Sequence, residues 1–253
     1  MANGRSGGEH YPGPMHIPSL HGDPGFAGHS GEPPGMYPPH HPKLQHHFDD
    51  MADQAEASTL GMWVFLVTEI MFFGGLFVAY LVYRSAYPTG FQEASNHLNV
   101  YWGAANTVVL ICSSLTMALG VRAAQTSAPP RTQVGWIVAT MVLGAAFLGV
   151  KVIEYADKFT HHLVPGPYFQ WTGKYPDAAE IFYSLYFCMT GLHAVHMIIG
   201  LGIMTVIAVM AWKRQFDASY YTPVEVSGLY WHFVDIVWIF LFPLLYLIGF
   251  HYH

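Results

Sequence analysis

The sequence predicts an all-α polytopic membrane protein: a bundle of five transmembrane helices preceded by an irregular N-terminal tail. Apolar residues make up 53% of the 253-residue chain, while Asp, Glu, Lys and Arg together make up only 10%. Soluble domains carry about 25% of these charged residues. About 20 apolar residues in a helix span the hydrocarbon core. Five runs reach that length, at about 58–84, 99–123, 132–157, 180–212 and 225–250.

Prolines and glycines indicate where these helices are joined and how they pack. Pro129-Pro130 and Pro223 interrupt the second and fourth connections. The connection around 158–179 is predicted to be an irregular surface loop. The glycine pairs Gly74-Gly75 and Gly200/Gly202 are predicted to let helices approach closely. We detect no internal repeat, which disfavours an inverted-repeat transporter.

Residues 1–55 form a different kind of segment, and the bundle is assigned to 56–253. The tail holds half of the histidines and most of the prolines, without apolar periodicity. It has neither the apolar core of a signal peptide nor the pattern of a transit peptide. We expect a solvated tail or a strap that docks on a partner rather than on its own helices. Metal binding by its irregularly spaced histidines is the weaker alternative.

Charge and cysteine usage narrow the function classes. The net charge of -6 comes without a basic run, so no nucleic-acid partner is expected. Cys112 and Cys188 lie inside apolar runs and are predicted to be buried small hydrophobes rather than a disulfide or a metal site. With the N-terminus in the cytoplasm, the inside segments carry six Lys and Arg residues and the outside segments three. The positive-inside rule therefore predicts a cytoplasmic N-terminus and a C-terminus on the outer face.

Glu69 stands roughly mid-span in the first predicted helix, where an ionisable side chain is costly. Two interpretations stay open: a protonated or hydrogen-bonded tie between helices, and a proton-relay or partner-contact group. His193 and His196 share one face of the fourth helix. Haem ligation would need a facing histidine at similar depth, and only His232, near a predicted helix end, is available. We therefore predict that this histidine pair hydrogen-bonds Glu69.

Two further groups of polar residues lie within the apolar runs. His232 and Asp235 stand three apart in the last helix, so they either satisfy each other or face a neighbouring subunit. At one end of the third helix, Glu154 and Lys158 are spaced as an i,i+4 ion pair. These charges, together with Lys151, are predicted to snorkel to water.

Three motifs in this order make the chain closely similar to subunit III of the haem-copper respiratory oxidases. The resemblance covers about 58–250. The three motifs are Thr68-Glu69-Ile70-Met71-Phe72-Phe73, then Thr190-Gly191-Leu192-His193-Ala194-Val195-His196 with Ile198-Ile199-Gly200, and last Tyr230-Trp231-His232-Phe233-Val234-Asp235-Ile236-Val237-Trp238. Glu154-Tyr155 at the end of the third predicted helix also fits the family.

The resemblance implies a subunit that binds no haem or copper itself. Such a subunit packs beside the catalytic subunit I, in a complex that also contains subunit II; the partner subunits hold the haem and copper. It retains structural phospholipids and helps to sustain proton delivery, and its N-terminal tail could join it to a respiratory supercomplex. Glu69 matches the family's carbodiimide-reactive glutamate, and Glu69, His193 and His196 are assigned to buried, proton-related positions. Interface or lipid-related positions are assigned to Trp63, Arg122, Glu154, Trp231, His232 and Asp235.

One departure from the family bears on these expectations. The mitochondrial-type subunit has seven helices, with lipids in the cleft between a first pair and a bundle, and this chain matches only the bundle. Five-helix forms resemble bacterial enzymes, which implies a bacterial inner membrane. Cytochrome c is the expected electron donor, with a quinol oxidase or a nitric-oxide-reductase accessory protein as alternatives. A stand-alone haem-b membrane anchor is the alternative from another class.

Overall fold

The computed structural model describes residues 42–46, 48 and 50–248, which form six α-helices; the longest connection, 161–175, joins the fourth helix to the fifth. Five are long and apolar enough to cross a membrane. The predicted fold class is therefore confirmed. The helices are α1 (Met51–Ala86), α2 (Pro88–Ser95), α3 (Val100–Gln125), α4 (Pro130–Thr160), α5 (Pro176–Trp212) and α6 (Thr222–Tyr246).

The helix limits differ from the predicted runs, since hydropathy does not register the hydrogen bonds that begin or end a helix. α1 begins at Met51, so the end of the predicted tail is helical, and the Asp50 carboxylate caps it by accepting from the Asp53 amide at 2.8 Å. α6 ends at Tyr246, earlier than the predicted 250. The short helix α2 was not predicted, since its eight residues form no apolar run. It buries Phe91.

Three helices end on a residue in the left-handed conformation that is not glycine. These are Ser127 after α3, His162 after α4 and Arg214 after α5, with φ of 50°, 55° and 56°. Each is followed by the long backbone hydrogen bond of a Schellman ending. The bonds run from Ala128 to Ala123, from Leu163 to Lys158 and from Gln215 to Met210, at 2.9, 3.0 and 3.1 Å.

The last helix is the most buried of the five spans. α3, α4, α5 and α6 pack in a ring, each against the next, and α1 lies outside against α6 and α5. α6 has the largest buried share of the five spans and α1 the smallest. In a membrane the outward faces of α1 and its neighbours are therefore available to lipid or to other subunits.

Trp231 locks three helices together. Its indole is fully buried and donates to the Ser113 hydroxyl of α3 at 2.8 Å. A Cβ added at Gly144 of α4 would stand 2.7 Å from the ring, and one at Gly200 of α5 would stand 2.9 Å from it. The predicted close approach therefore holds for Gly200. It is wrong within this chain for Gly74, Gly75 and Gly202, where an added Cβ would meet no atom of another helix within 4 Å.

The described end of the tail lies on the chain's own bundle. Lys43 donates to the carbonyl of Gln215 and sits 4.4 Å above the ring of Tyr220. The Gln45 amide donates to the Gln54 side chain at 2.8 Å. For 42–46 the prediction of docking on a partner is therefore wrong, because the α5–α6 connection offers a carbonyl and an aromatic face. Residues 1–41 lie outside the described residues.

Candidate functional site

Glu69 and His196 meet between α1 and α5. The Glu69 Oε2 atom lies 3.1 Å from His196 Nε2, and the two side chains are 19% and 14% exposed. His196 Nδ1 lies 2.8 Å from the Leu192 carbonyl, which can only accept, so Nδ1 carries a hydrogen. A hydrogen bond between Nε2 and Oε2 then requires one further proton, on the acid or on the imidazole. The pair therefore joins α1 to α5 through a hydrogen bond.

His193 does not join this pair. It is fully buried, and its ring packs 5.4 Å from Phe147 and 5.3 Å from Trp238. Neither of its ring nitrogens has a hydrogen-bond partner among the described residues. The prediction that both histidines serve Glu69 is therefore wrong for His193. Three residues advance a helix by about 300°, so the two side chains diverge by about 60°, and His193 points into the core of the bundle.

A buried ion pair lies in the C-terminal third of α4. Lys151 is 4% exposed, and its Nζ atom contacts Glu154 Oε2 at 2.9 Å and the Tyr246 hydroxyl at 2.7 Å. Glu154 accepts in turn from Tyr186 at 2.9 Å and from Tyr246 at 2.5 Å. This cluster, Lys151, Glu154, Tyr186 and Tyr246, is called the tyrosine-capped ion pair below. It joins the ends of α4, α5 and α6.

The predicted electrostatics of this region are therefore wrong in two respects. Lys151 does not snorkel to water, because the two tyrosine hydroxyls and a carboxylate satisfy it inside the bundle. Glu154 is not the partner of Lys158. Lys158 is instead buried, and it donates to the His97 carbonyl at 2.9 Å and to Asp157 at 3.3 Å.

His232 and Asp235 lie in the middle of α6, rather than near its end as predicted. They follow Thr222 by about 15 and 20 Å along the helix axis. His232 Nδ1 lies 2.6 Å from the Ser114 hydroxyl of α3. Asp235 is 3% exposed, and neither carboxyl oxygen makes a hydrogen bond of ordinary geometry to a described residue, although Ser114 is close enough to interact. His232 and Asp235 make no hydrogen bond or ion pair with each other in the described structure, and Ser114 is a neighbour of both.

The remaining predicted positions line cavities on the surface of the bundle. Trp63 is 53% exposed and borders an apolar cavity of about 470 Å³ between α1 and α6. Arg122 and Glu225 border a cavity of about 540 Å³ at one end of the α3–α6 contact. His232 borders both cavities and a third, smaller one.

The two cysteines do not contribute to any of these sites. Cys112 and Cys188 are free thiols that face outward from the bundle. The prediction that they are buried is wrong, because α3 and α5 turn these positions toward the surrounding membrane. No group of three metal-ligating side chains occurs in the described parts of the chain.

Sequence reasoning did not identify Ser114, Tyr186 and Tyr246 as members of these clusters. Each lies in an apolar helix, where a hydroxyl is equally able to bond its own backbone. Their roles come from contacts between helices distant in sequence, such as Lys151 with Tyr246. The sequence signal that could have pointed to these residues was their helical spacing, which places each of them on the same helix face as apolar core residues.

The fold and these clusters define a multi-pass membrane protein whose intramembrane polar groups bond mostly within the bundle. The chain belongs to the family described as cytochrome c oxidase subunit III, whose profile matches residues 46–250. Members of this family are subunits of respiratory oxidase complexes.

Three relatives illustrate the similarity. The chain is 30% identical to the cytochrome bo(3) ubiquinol oxidase subunit 3 of Pseudomonas aeruginosa, covering 82% of this chain and 92% of that protein. It is 32% identical to the cytochrome c oxidase subunit 3 of Thermostichus vulcanus, over 79% and 92%. It is 35% identical to the cytochrome c oxidase subunit 3 of Corynebacterium diphtheriae, over 75% and 87%.

Proposed function

We propose that this chain is the non-catalytic subunit III of a cytochrome c oxidase in aerobic respiration. It packs beside the haem-copper subunit I, in a complex whose other subunits hold the haem and copper. The observation that carries this proposal is the use of the ionisable groups inside the spans. Glu69 bonds His196, Lys151 bonds Tyr246 and His232 bonds Ser114, so these groups hold helices together. A quinol oxidase is the alternative, supported by the ubiquinol oxidase relative.

Purification of the tagged full chain in mild detergent tests this role. We expect a large multi-helix haem protein to co-purify, with a reduced-minus-oxidised haem signal proportional to that partner. A partner with a dinuclear copper site would select cytochrome c as the donor, and its absence would select quinol. Haem that stays with the chain after the partner is stripped away would overturn the non-catalytic assignment and favour the membrane-anchor alternative.

We propose that the apolar cavity between α1 and α6 holds an acyl chain of a structural phospholipid. Its lining includes Trp63, Leu66 and Phe73, which offer apolar surface to a lipid tail. Gly74 borders this cavity and its neighbour Gly75 does not, yet a Cβ at either position would meet no atom within 4 Å. We expect Gly74→Leu to lose one retained lipid in native mass spectrometry and Gly75→Leu to keep it. Equal lipid content in both variants would contradict the assignment.

We propose that the chain lies in a bacterial inner membrane with its N-terminus in the cytoplasm. Arg122 and Arg131 flank the α3–α4 connection, and Lys213 and Arg214 follow α5, so these four cations lie on one side of the membrane. A membrane-impermeant thiol reagent applied from outside should label Thr172→Cys and leave Thr132→Cys unlabelled, in a background with both native cysteines replaced. The reverse pattern would place the N-terminus outside.

We propose that the Glu69–His196 pair supports proton uptake by the complex, because it holds one exchangeable proton inside the membrane. In the purified complex, Glu69→Gln should shorten the number of turnovers before inactivation while the haem content stays unchanged. If the Glu69→Gln complex turned over as fast as the wild type, and completed as many turnovers before inactivation, this proposal would be contradicted.

A further inference from the structure

We propose that the groove between α3 and α6 is the contact site for a transmembrane helix of a neighbouring subunit, which places a polar side chain on His232. This inference rests on the proposed function, because it needs a partner in the membrane. The groove encloses about 290 Å³. Its polar members are Ser114, His232 and Asp235, and exposed Ile111 and Leu115 form part of its rim. It is called the α3–α6 groove below.

The hydrogen bonds inside this groove leave one polar atom unused. His232 Nδ1 is engaged by Ser114 at 2.6 Å, while Nε2 makes no hydrogen bond to a described residue. If Ser114 donates to Nδ1, then Nε2 carries a hydrogen and needs an acceptor. If Nδ1 donates to Ser114, then neutral His232 presents a bare Nε2 that needs a donor. In either state the outer nitrogen requires a polar partner.

Asp235 adds a second polar requirement beside the first. It is 3% exposed, with two carboxyl oxygens that lack an ordinary hydrogen bond in the described residues. The Ser114 hydroxyl is the nearby group that links it to His232. The groove therefore concentrates three polar side chains where lipid tails supply no hydrogen bonds. Buried polar groups without partners are costly, so an occupant that supplies one is favoured.

Depth decides between a lipid and a protein as the occupant. His232 lies about 15 Å along α6 from Thr222, in a helix of 25 residues, so it is near the middle of that membrane-spanning helix. A phospholipid headgroup at the membrane surface does not reach this depth, and its acyl chains carry no polar atom. A polar side chain on a neighbouring transmembrane helix does reach it, and such contacts hold membrane helices together.

Photo-crosslinking in native membranes tests the occupant. A benzophenone amino acid would replace Leu115, which borders the groove, and in the control Val142 of α4. Both residues are 61% exposed, and each lies about 15–18 Å from the same end of the bundle. We expect the Leu115 position to form adducts with another membrane subunit several times more often than the Val142 position. Equal yields at both positions, or lipid adducts alone at Leu115, would overturn the proposal.

A second measurement targets the hydrogen bond itself. Replacing His232 by Leu should speed dissociation of the chain from the solubilised complex by about threefold to about twentyfold, the range typical of polar contacts between membrane helices. His232→Gln should restore slow dissociation, because an amide both donates and accepts. Unchanged dissociation of His232→Leu would refute the contact.

The failure of this inference is distinguishable from that of the proposed function. If the wild-type chain co-purifies with no haem protein, the proposed function fails. If it co-purifies and Leu115 still forms no protein adduct, only the α3–α6 groove loses its assignment.

Discussion

Gly144→Ala is the sharpest test of how the bundle is packed. The new Cβ would stand 2.7 and 2.8 Å from two carbons of the Trp231 ring, far inside normal contact. The ring cannot retreat, because Gly200 lies against its other edge and Ser113 holds its nitrogen at 2.8 Å. Overpacking of a filled core costs about 1–3 kcal/mol. Gly149 lies on the same helix, and a Cβ added there would meet no atom within 4 Å, so Gly149→Ala provides the control.

The comparison of the two variants isolates the steric cost. Alanine raises helix propensity by about 1 kcal/mol over glycine at either position, so this gain cancels in the difference. For a chain of this size, each kcal/mol shifts the melting temperature by about 2–4 °C. Gly144→Ala should therefore melt about 2–12 °C below Gly149→Ala in the same detergent, measured by tryptophan fluorescence.

A double-mutant cycle then assigns the cost to the indole. Trp231→Phe removes the ring atoms that the new methyl group would meet, so the penalty of Gly144→Ala should shrink in that background. Equal melting temperatures for Gly144→Ala and Gly149→Ala would refute the reasoning. So would an undiminished penalty in the Trp231→Phe background.

Three further predictions address the polar clusters and the tail. Glu154→Leu should lower the melting temperature more than Lys151→Met, since it strands a buried ammonium at a cost of about 3–5 kcal/mol, and the double variant should recover much of the loss; additive losses would contradict this. A hydrophobic carbodiimide should modify Glu69 in active membranes, detected on peptide 61–74, and an unmodified peptide would exclude a protonated acid there. Trypsin should cut after Lys43 equally slowly in the isolated chain and in the complex, and faster cutting in the isolated chain would show that a partner holds this segment.

Hydropathy was sufficient to predict the five spans but not their limits. Each span is a long apolar run with few charges, and that property is local to the run. The ends of α3, α4 and α5 depend on Ser127, His162 and Arg214 adopting positive φ, where the usual signal is glycine. The start of α1 depends on one side-chain cap from Asp50.

The candidate site was predictable only where a polar side chain in an apolar helix had few possible hydrogen-bond partners in the sequence. Glu69 in mid-span needed a donor, and helical spacing supplied His196. The partner of Lys151 was missed, because Glu154 could pair in either direction along the helix and Tyr246 lies 95 residues away. The depth of His232 was also missed, because the limits of α6 were set too late in the chain.

The packing of α1 against α5 and α6 has a consequence for biosynthesis. α1 enters the membrane first, yet it packs against α5 and α6, the last two helices to be made. Glu69 is therefore synthesised 127 residues before His196, an interval of about 6–25 s at ordinary translation rates. During that time its carboxyl group stands in the bilayer without its partner. A ribosome that stalls before α6 would leave four membrane-spanning helices without the span that buries most of its surface in the bundle, a product well suited to recognition by membrane quality control.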